Sequence, residues 1–207
     1  MMFARSTSIT GDPAKIDACI TYLRDEVMPE VTSMNGCMGL SMLVNRDSGL
    51  CIATTSWLSE AEMMATEREV SPMRSRAEEI LGGSATVDKW EIAVMHREHD
   101  AMEGSWCRTT WLQCPPADMD ATIDFYKDNV LTKMEESDTF CSASMLVDRA
   151  TGRCCGTARF ESREGLDATR DMASALRAQR SDMGGVEFTG IEECELVIAH
   201  LRVPELV

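Results

Sequence analysis

The chain has 207 residues, of which 44% are apolar and 27% are charged, so it can form one large domain or two of about 100 residues. Its 20 basic and 35 acidic side chains give a net charge of −15, which repels phosphate groups, so neither nucleic acid nor an anionic membrane is expected as a partner. No apolar run reaches the roughly 18 residues of a spanning helix, and the nine cysteines lack C-x-x-C spacing. We therefore expect a cytoplasmic protein with reduced thiols.

The first predicted elements are a strand and an amphipathic helix. Residues 3–9 read as a strand, and Asp12 followed by Pro13 is a typical helix start, with Asp12 as the N-cap. Apolar residues then recur at helical spacing, which predicts a helix to about Thr32. These apolar residues are Ile16, Ile20, Leu23, Val27 and Val31.

A hairpin motif follows, and it occurs twice in the chain. Ser41–Cys51 reads SMLVNRDSGLC, and Ser144–Cys154 reads SMLVDRATGRC at an offset of 103 residues. In each copy an apolar run ends in Asn or Asp, a glycine closes the turn and a second run begins, which predicts a β-hairpin. From residue 41 to 59, 9 of 19 positions match at this offset, so the chain contains a tandem repeat.

A second helix and a fourth strand complete the first repeat. Ser59 and Glu62 have the spacing of a capping box at the start of this helix. Pro72 lies inside the helical pattern and is expected to kink or split the helix near residues 70–71. A glycine pair ends the helix, and residues 87–95 read as a strand.

The second repeat follows the same order. Its predicted elements are a strand at 106–112, a helix carrying Met119, Ile123, Tyr126, Val130 and Met134, hairpin strands at 140–148 and 154–160, a helix capped by Ser162, and a last strand within 187–201. Each repeat is therefore β-α-β-β-α-β, the split ferredoxin-like arrangement.

The repeat predicts the fold class. Helices cover only one face of each four-stranded sheet, so the other face needs a cover, which the partner repeat can supply. We predict an α+β fold in which two ferredoxin-like repeats pack sheet to sheet as a single-chain pseudo-dimeric α/β barrel. The repeats span residues 1–96 and 105–207, and a polar linker covers 97–104.

The chain resembles the antibiotic biosynthesis monooxygenase-like group of dimeric α/β barrels. The resemblance rests on the order of elements, on the hairpin turn, and on Trp57–Ala61 and Phe160–Glu164, which are similar to the aromatic-x-Ser-x-x pattern that ends the third strand in that family. It covers nearly the whole chain, twice. It implies a cofactor-independent monooxygenase acting on small aromatic or quinone-like compounds; the superfamily also includes haem-degrading enzymes and quinol-metabolism proteins.

Haem chemistry is not expected. The haem-degrading members carry a His and a Trp on the second helix and an Asn on the first strand. Residues 59–81 and 162–183 contain neither His nor Trp, and the two first strands lack Asn. Without an axial His, haem has no proximal ligand. His96 and His99 have i,i+3 spacing but lie at the linker without a nearby Cys, so we expect neither a metal site nor a cofactor.

The candidate catalytic residues are two arginines and two histidines. Arg5 and Arg108 share one first-strand position, where a cation can hold a carboxylate or an enolate-like oxygen. The alternative is a rim arginine paired with an acid. His96 and His200 end the equivalent fourth strands and can act as general bases. The alternative is a surface histidine at a strand end.

The candidate ligand-binding residues are aromatic. Trp57 and Phe160 close the third strands, and Trp111 lies on the first strand of the second repeat; core packing is the alternative role.

One repeat is expected to keep a pocket while the other serves as scaffold. Two classes of function remain, a cofactor-free oxygenase of a small aromatic ligand and a non-catalytic barrel that binds a small molecule or a protein. The tandem repeat is compatible with a monomeric pseudo-dimer or with a homo-oligomer.

Overall fold

The computed structural model describes residues 1–100 and 102–206 and contains the predicted order of elements twice. The strands are β1 (Phe3–Thr10), β2 (Cys37–Asn45), β3 (Leu50–Trp57), β4 (Ala85–Arg97), β5 (Trp106–Gln113), β6 (Phe140–Asp148), β7 (Arg153–Phe160) and β8 (Glu187–Leu201). Within the described ranges, no helix is long and apolar enough to cross a membrane.

The helices of each repeat include a π-helical segment. In the first repeat they are α1 (Ile16–Tyr22), the π-helical segment Leu23–Val27, α2 (Met28–Ser33), α3 (Glu60–Ala65) and α4 (Glu67–Leu81). In the second repeat they are α5 (Met119–Phe125), the π-helical segment Tyr126–Leu131, α6 (Thr132–Met134), α7 (Arg163–Ala168) and α8 (Arg170–Asp182). Short 3₁₀ turns at Pro13–Lys15 and Pro116–Asp118 precede α1 and α5.

All eight strands belong to one hydrogen-bonded sheet, in which each strand has two neighbours. The strand order is β1-β3-β2-β8-β5-β7-β6-β4, and it closes on itself. β3 pairs antiparallel with β1 and β2 on its two sides, and β7 pairs antiparallel with β5 and β6. A closed antiparallel order with two helical regions per repeat, one before and one after the hairpin, is the topology of an α/β barrel. The prediction of an α+β fold built from two ferredoxin-like repeats is confirmed.

The chain divides into two compact units. The first comprises Met1–Trp90 and Cys194–Val203, and the second comprises Glu91–Glu193 and the described residues after Val203. The division falls inside β4 and β8, because the last part of β4 pairs with β6 and the last part of β8 pairs with β2. The repeat boundaries at 96 and 105 remain a prediction, and Ala101 and Val207 lie outside the described residues.

The hairpin turns form as the residue pattern predicts. The Asn45 side chain accepts hydrogen bonds from the backbone N–H groups of Asp47 and Ser48, at 3.0 and 3.1 Å. Gly49 and Gly152 close the two turns with φ angles of 76° and 80°, a left-handed conformation that favours glycine. These bonds join neighbouring residues, so the turn can be predicted without knowledge of the rest of the fold.

The second helix of each repeat is interrupted at a threonine, and the helix is not split at residues 70–71, so of the two predicted effects of Pro72 the split is wrong. α3 ends before Thr66, and α4 continues through Pro72. In the second repeat the break falls at the equivalent Thr169, although that helix contains no proline. The Thr66 hydroxyl donates a hydrogen bond of 2.8 Å to the carbonyl oxygen three residues earlier. A side chain that competes for helical carbonyl groups interrupts the helix.

Candidate functional site

A cavity of about 90 Å³ lies between the helices and the sheet of the second repeat. We call it the second cavity. It is mostly apolar, and two groups of side chains distinguish it. Three are aromatic and three carry a guanidinium; they are Phe125, Tyr126, Phe188, Arg108, Arg177 and Arg180. A cavity of this size has room for several water molecules or a small ligand.

The aromatic wall takes Phe125 from the end of α5, Tyr126 from the π-helical segment and Phe188 from β8. Tyr126 begins the π-helical segment, and its hydroxyl donates a hydrogen bond of 3.1 Å to the carbonyl oxygen of Ser144. A Cβ atom at Gly156 would lie 3.0 Å from the Tyr126 ring, so this glycine gives the ring room against the strand. Burial raises the pKa of the Tyr126 phenol far above its ordinary value. Tyr126 is therefore a neutral wall of the cavity at physiological pH.

Arg108 is buried, and its guanidinium is held by hydrogen bonds to three residues. Its guanidinium donates hydrogen bonds to Thr169 Oγ1 at 2.9 Å, to the carbonyl oxygen of Leu166 at 3.0 Å and to Glu193 Oε1 at 3.1 Å. Although burial raises the pKa of Glu193, hydrogen bonds from Arg170 and Arg108 hold it below its ordinary value. The predicted alternative, an arginine paired with an acid, describes Arg108, but the pair is largely buried instead of lying on a rim.

Two further arginines line the second cavity, and the sequence analysis missed both. Arg177 is half-buried, and it forms no hydrogen bond or ion pair with the described residues. Arg180 is 7% exposed and donates to the carbonyl oxygen of Gly184 at 2.9 Å and to Thr122 Oγ1 at 3.1 Å. Arg180 lies on the same helical stripe as Ala173 and Leu176, so an arginine at apolar spacing was the available signal.

The first repeat holds a cavity of about 80 Å³, which we call the first cavity. It lies in the first repeat at the position equivalent to that of the second cavity, but no aromatic residue of the described chain lines it. Arg5 is buried and donates hydrogen bonds to Thr66 Oγ1 at 3.2 Å and to the carbonyl oxygen of Met63. The Glu67 carboxylate lies 3.2 Å from Arg5 and 3.1 Å from Arg74, so both cavity-lining cations have a counter-ion. Both repeats thus contain a cavity, and they differ in lining.

The three aromatic residues predicted to bind a ligand lie outside the first and second cavities. Trp57 and Phe160 are completely buried in the two hydrophobic cores, and neither lines the first or second cavity. The Trp57 indole donates a hydrogen bond of 3.0 Å to Thr55 Oγ1, which satisfies its one polar group. Trp111 lines a separate cavity of about 290 Å³, where its indole lies 3.3 Å from the position of a Cβ atom added at Gly190.

The predicted histidines also lie outside the two cavities. His96 is surrounded by carboxylates, with Nδ1 2.9 Å from Glu205 Oε1 and Nε2 2.9 Å from Glu135 Oε1. Together with Glu98, His96 and Glu135 bring three atoms that can ligate a metal to within 4.8 Å of one another. His200 is half-buried on β8, opposite Leu40 of β2.

Sequence relatives establish the family. No family model matches the chain. Uncharacterized protein Rv2557 of Mycobacterium tuberculosis strain ATCC 25618 / H37Rv is 45% identical over 210 residues, which covers 100% of this chain and 92% of the relative. The chain belongs to the Rv2557 family. A further relative in the same strain, Uncharacterized protein Rv2558, is 43% identical to this Rv2557 family member over 208 residues, covering 100% of this chain and 88% of the relative.

Solved structures confirm the resemblance in fold. An anthrone oxidase-like protein is 16% identical to this Rv2557 family member, with a TM-score of 0.69 and coverage of 95% of this chain and 92% of that chain. A Listeria monocytogenes 4b F2365 ferredoxin fold protein related to antibiotic biosynthesis monooxygenases is 9% identical, with a TM-score of 0.54 and 96% coverage of each chain. The heme-degrading enzyme LmHde of Listeria monocytogenes is also 9% identical at a TM-score of 0.54, covering 92% of this chain and 98% of that chain. These likenesses show the antibiotic biosynthesis monooxygenase-like fold.

Proposed function

We propose that the second cavity binds a small aromatic compound and that the protein is a cofactor-independent oxygenase of that compound. The observation that carries this proposal is the wall of Phe125, Tyr126 and Phe188 beside cationic side chains in one cavity. Aromatic walls stack on planar aromatic ligands, and cations stabilise the oxyanions of such ligands. The fold shared with the anthrone oxidase-like protein supports the same class of ligand, because an anthrone is an aromatic ketone.

The chemistry requires a substrate that forms an anion. The anion of a ring CH₂ group passes one electron to dioxygen, the two radicals combine, and the resulting peroxide loses water. One CH₂ group and one O₂ thus give one carbonyl group and one water molecule. The protein excludes bulk water with its apolar wall and lowers the energy of the anion with its guanidinium groups.

A binding protein without turnover is the second candidate function. The ionisable side chains that line the second cavity are three guanidinium groups and the Tyr126 phenol. None of these is a general base at physiological pH, because a guanidinium remains protonated and burial raises the pKa of Tyr126. An oxygenase reaction therefore depends on a substrate that loses its proton under the influence of the arginines alone.

Oxygen uptake with anthrone as the probe tests the proposal. The variant Leu176→Trp fills the second cavity, and Met73→Trp fills the first at the equivalent position. We expect oxygen uptake above the uncatalysed rate in the wild type and in Met73→Trp, and its loss in Leu176→Trp. Binding of anthrone to the second cavity without oxygen uptake would favour the binding protein. No binding and no uptake would contradict both functions.

A further inference from the structure

We infer that the second cavity selects anionic aromatic ligands, that Arg177 receives the ligand's carboxylate or phenolate oxygen, and that Glu67 excludes such anions from the first cavity. This inference rests on the proposed function, because it uses the same cavity. It adds the charge of the ligand, the residue that recognises this charge, and the reason why the two cavities differ.

The first cavity shows how a carboxylate can contact two of the arginines that line a cavity in this fold. Arg5 and Arg74 occupy the positions that Arg108 and Arg177 occupy 103 residues later. The Glu67 carboxylate lies 3.2 Å from Arg5 and 3.1 Å from Arg74, so it bridges the two guanidinium groups. Glu67 therefore holds the place in which a ligand carboxylate would contact both arginines. A carboxylate that already bridges the two cavity-lining arginines repels a second one.

The second repeat has lost this internal carboxylate. The residue equivalent to Glu67 is Arg170. Its guanidinium Nη2 lies 2.5 Å from Glu193 Oε2. Glu193 also contacts Arg108 and Arg163, each at 3.1 Å. It makes no ion pair with Arg177 in the part of the chain that the structure describes. Burial and the neighbouring Arg108 lower the pKa of Arg177, and Glu193 opposes this shift only from beyond ion-pair distance.

Arg180 strengthens the positive charge of the second cavity. It stands where the first repeat has Ala77, and it is 93% buried, since its exposed fraction is 7%. Among the described residues it has no carboxylate partner, and its Nε atom has no hydrogen-bond acceptor. Arg177 and Arg180 are three residues apart on α8, and both line the cavity. A buried cation without a counter-ion is unfavourable in the free protein, and an anionic ligand removes this cost.

The lining also indicates the shape of the ligand. Arg180 lies over the Phe125 ring with 5.8 Å between the guanidinium carbon and the ring centroid. The planar guanidinium of Arg177 can bind a carboxylate through two parallel hydrogen bonds. A ligand with a flat aromatic body and one carboxylate or phenolate group matches both features.

Matched pairs of probes separate the charge of the ligand from its shape. We would measure by calorimetry the binding of 2-naphthoate and benzoate, and of their neutral counterparts 2-naphthalenemethanol and benzyl alcohol. Arg177→Gln is the test variant and Arg74→Gln is the matched control in the first cavity. Because Arg177 forms no hydrogen bond or ion pair in the described chain, its replacement should leave the fold unchanged, which circular dichroism would check.

We expect Arg177→Gln to weaken carboxylate binding by about 10- to 100-fold and to change alcohol binding less than about twofold. Arg74→Gln should change neither. Glu67→Gln, which leaves Arg5 and Arg74 without their counter-ion, should raise the carboxylate stoichiometry from one to two.

The outcomes distinguish the inference from the proposed function. If carboxylates and alcohols bind equally well in the wild type and Leu176→Trp abolishes both, the second cavity binds aromatic compounds but the inference on charge is wrong. Unchanged carboxylate affinity in Arg177→Gln would also overturn it, as would an equal loss in Arg74→Gln. If neither member of a pair binds to the wild type, the proposed function fails, and the inference fails with it.

Discussion

The guanidinium of Arg108 donates a hydrogen bond of 3.0 Å to the main-chain carbonyl oxygen of Leu166. The hydroxyl of Thr169 donates to the same oxygen at 2.8 Å, at the point where α7 gives way to α8. Arg5, Met63 and Thr66 repeat this arrangement in the first repeat. The arginine on the first strand thus joins the strand to the break between the two helices, and it positions the helix that lines the cavity.

Replacement of Arg108 should be far more costly than replacement of Arg177. We expect Arg108→Met to lower the free energy of unfolding by about 3 kcal/mol, because it leaves Glu193 without a buried partner and removes one of the donors to the Leu166 carbonyl group. Arg177→Met should change it by less than about 0.5 kcal/mol. Urea denaturation measures both values. Equal losses in the two variants would show that Arg108 does not hold the helix break.

The ion pairs of Glu193 should make stability depend on pH. Because the pKa of Glu193 is held below its ordinary value of 4.5, its stabilising effect is complete above that value and is lost as the pH falls through the lower, folded-state pKa. We expect Glu193→Gln to be less stable than the wild type at pH 7, and this difference should shrink at pH values below about 4.5. Urea denaturation at a series of pH values measures this, and a constant difference down to about pH 3 would contradict the prediction.

The glycine of the second hairpin should tolerate no side chain. Gly152 has a φ of 80°, and a Cβ atom there would lie 1.9 Å from the carbonyl oxygen of Cys114. We expect Gly152→Ala to lower the free energy of unfolding by about 3 kcal/mol. Gly82 ends α4 with a φ of 72° but has open space around it, so Gly82→Ala should cost only about 1 kcal/mol. Thermal unfolding of both variants compares backbone strain with and without the steric clash.

The break between α3 and α4 should not depend on Pro72. The equivalent position in α8 is Ala175, and we expect Ala175→Pro to lower the free energy of unfolding by about 3 kcal/mol. Pro72→Ala should raise it, by less than that amount, because the loss of proline also frees the unfolded chain. Backbone chemical shifts of Pro72→Ala should still show the break at Thr66. A helix that becomes continuous in this variant would assign the break to the proline.

Expectations based on local pattern succeeded where the partners are close in sequence. The hairpin strands predicted at 140–148 and 154–160 match the bounds that the structure shows to within one residue. The same holds for the N-caps, since the Asp12 side chain accepts a hydrogen bond from the backbone of Ala14 at 2.9 Å. The break at Thr66 was missed, because the local bond from its hydroxyl to the Met63 carbonyl is joined there by Arg5, which lies 61 residues away along the chain.

The sequence by itself determined the tandem repeat, the order of strands and helices and the hairpin turns, because each depends on residues that interact with near neighbours or on a periodicity that recurs along the chain. It also singled out Arg5 and Arg108 by their shared position. Only the tertiary structure decided their roles. The counter-ion of Arg108 lies 85 residues away on β8, whereas Arg177 forms no ion pair with the described residues. Charge pairing depends on which side chains the folded chain brings together, and a linear pattern does not contain those distances.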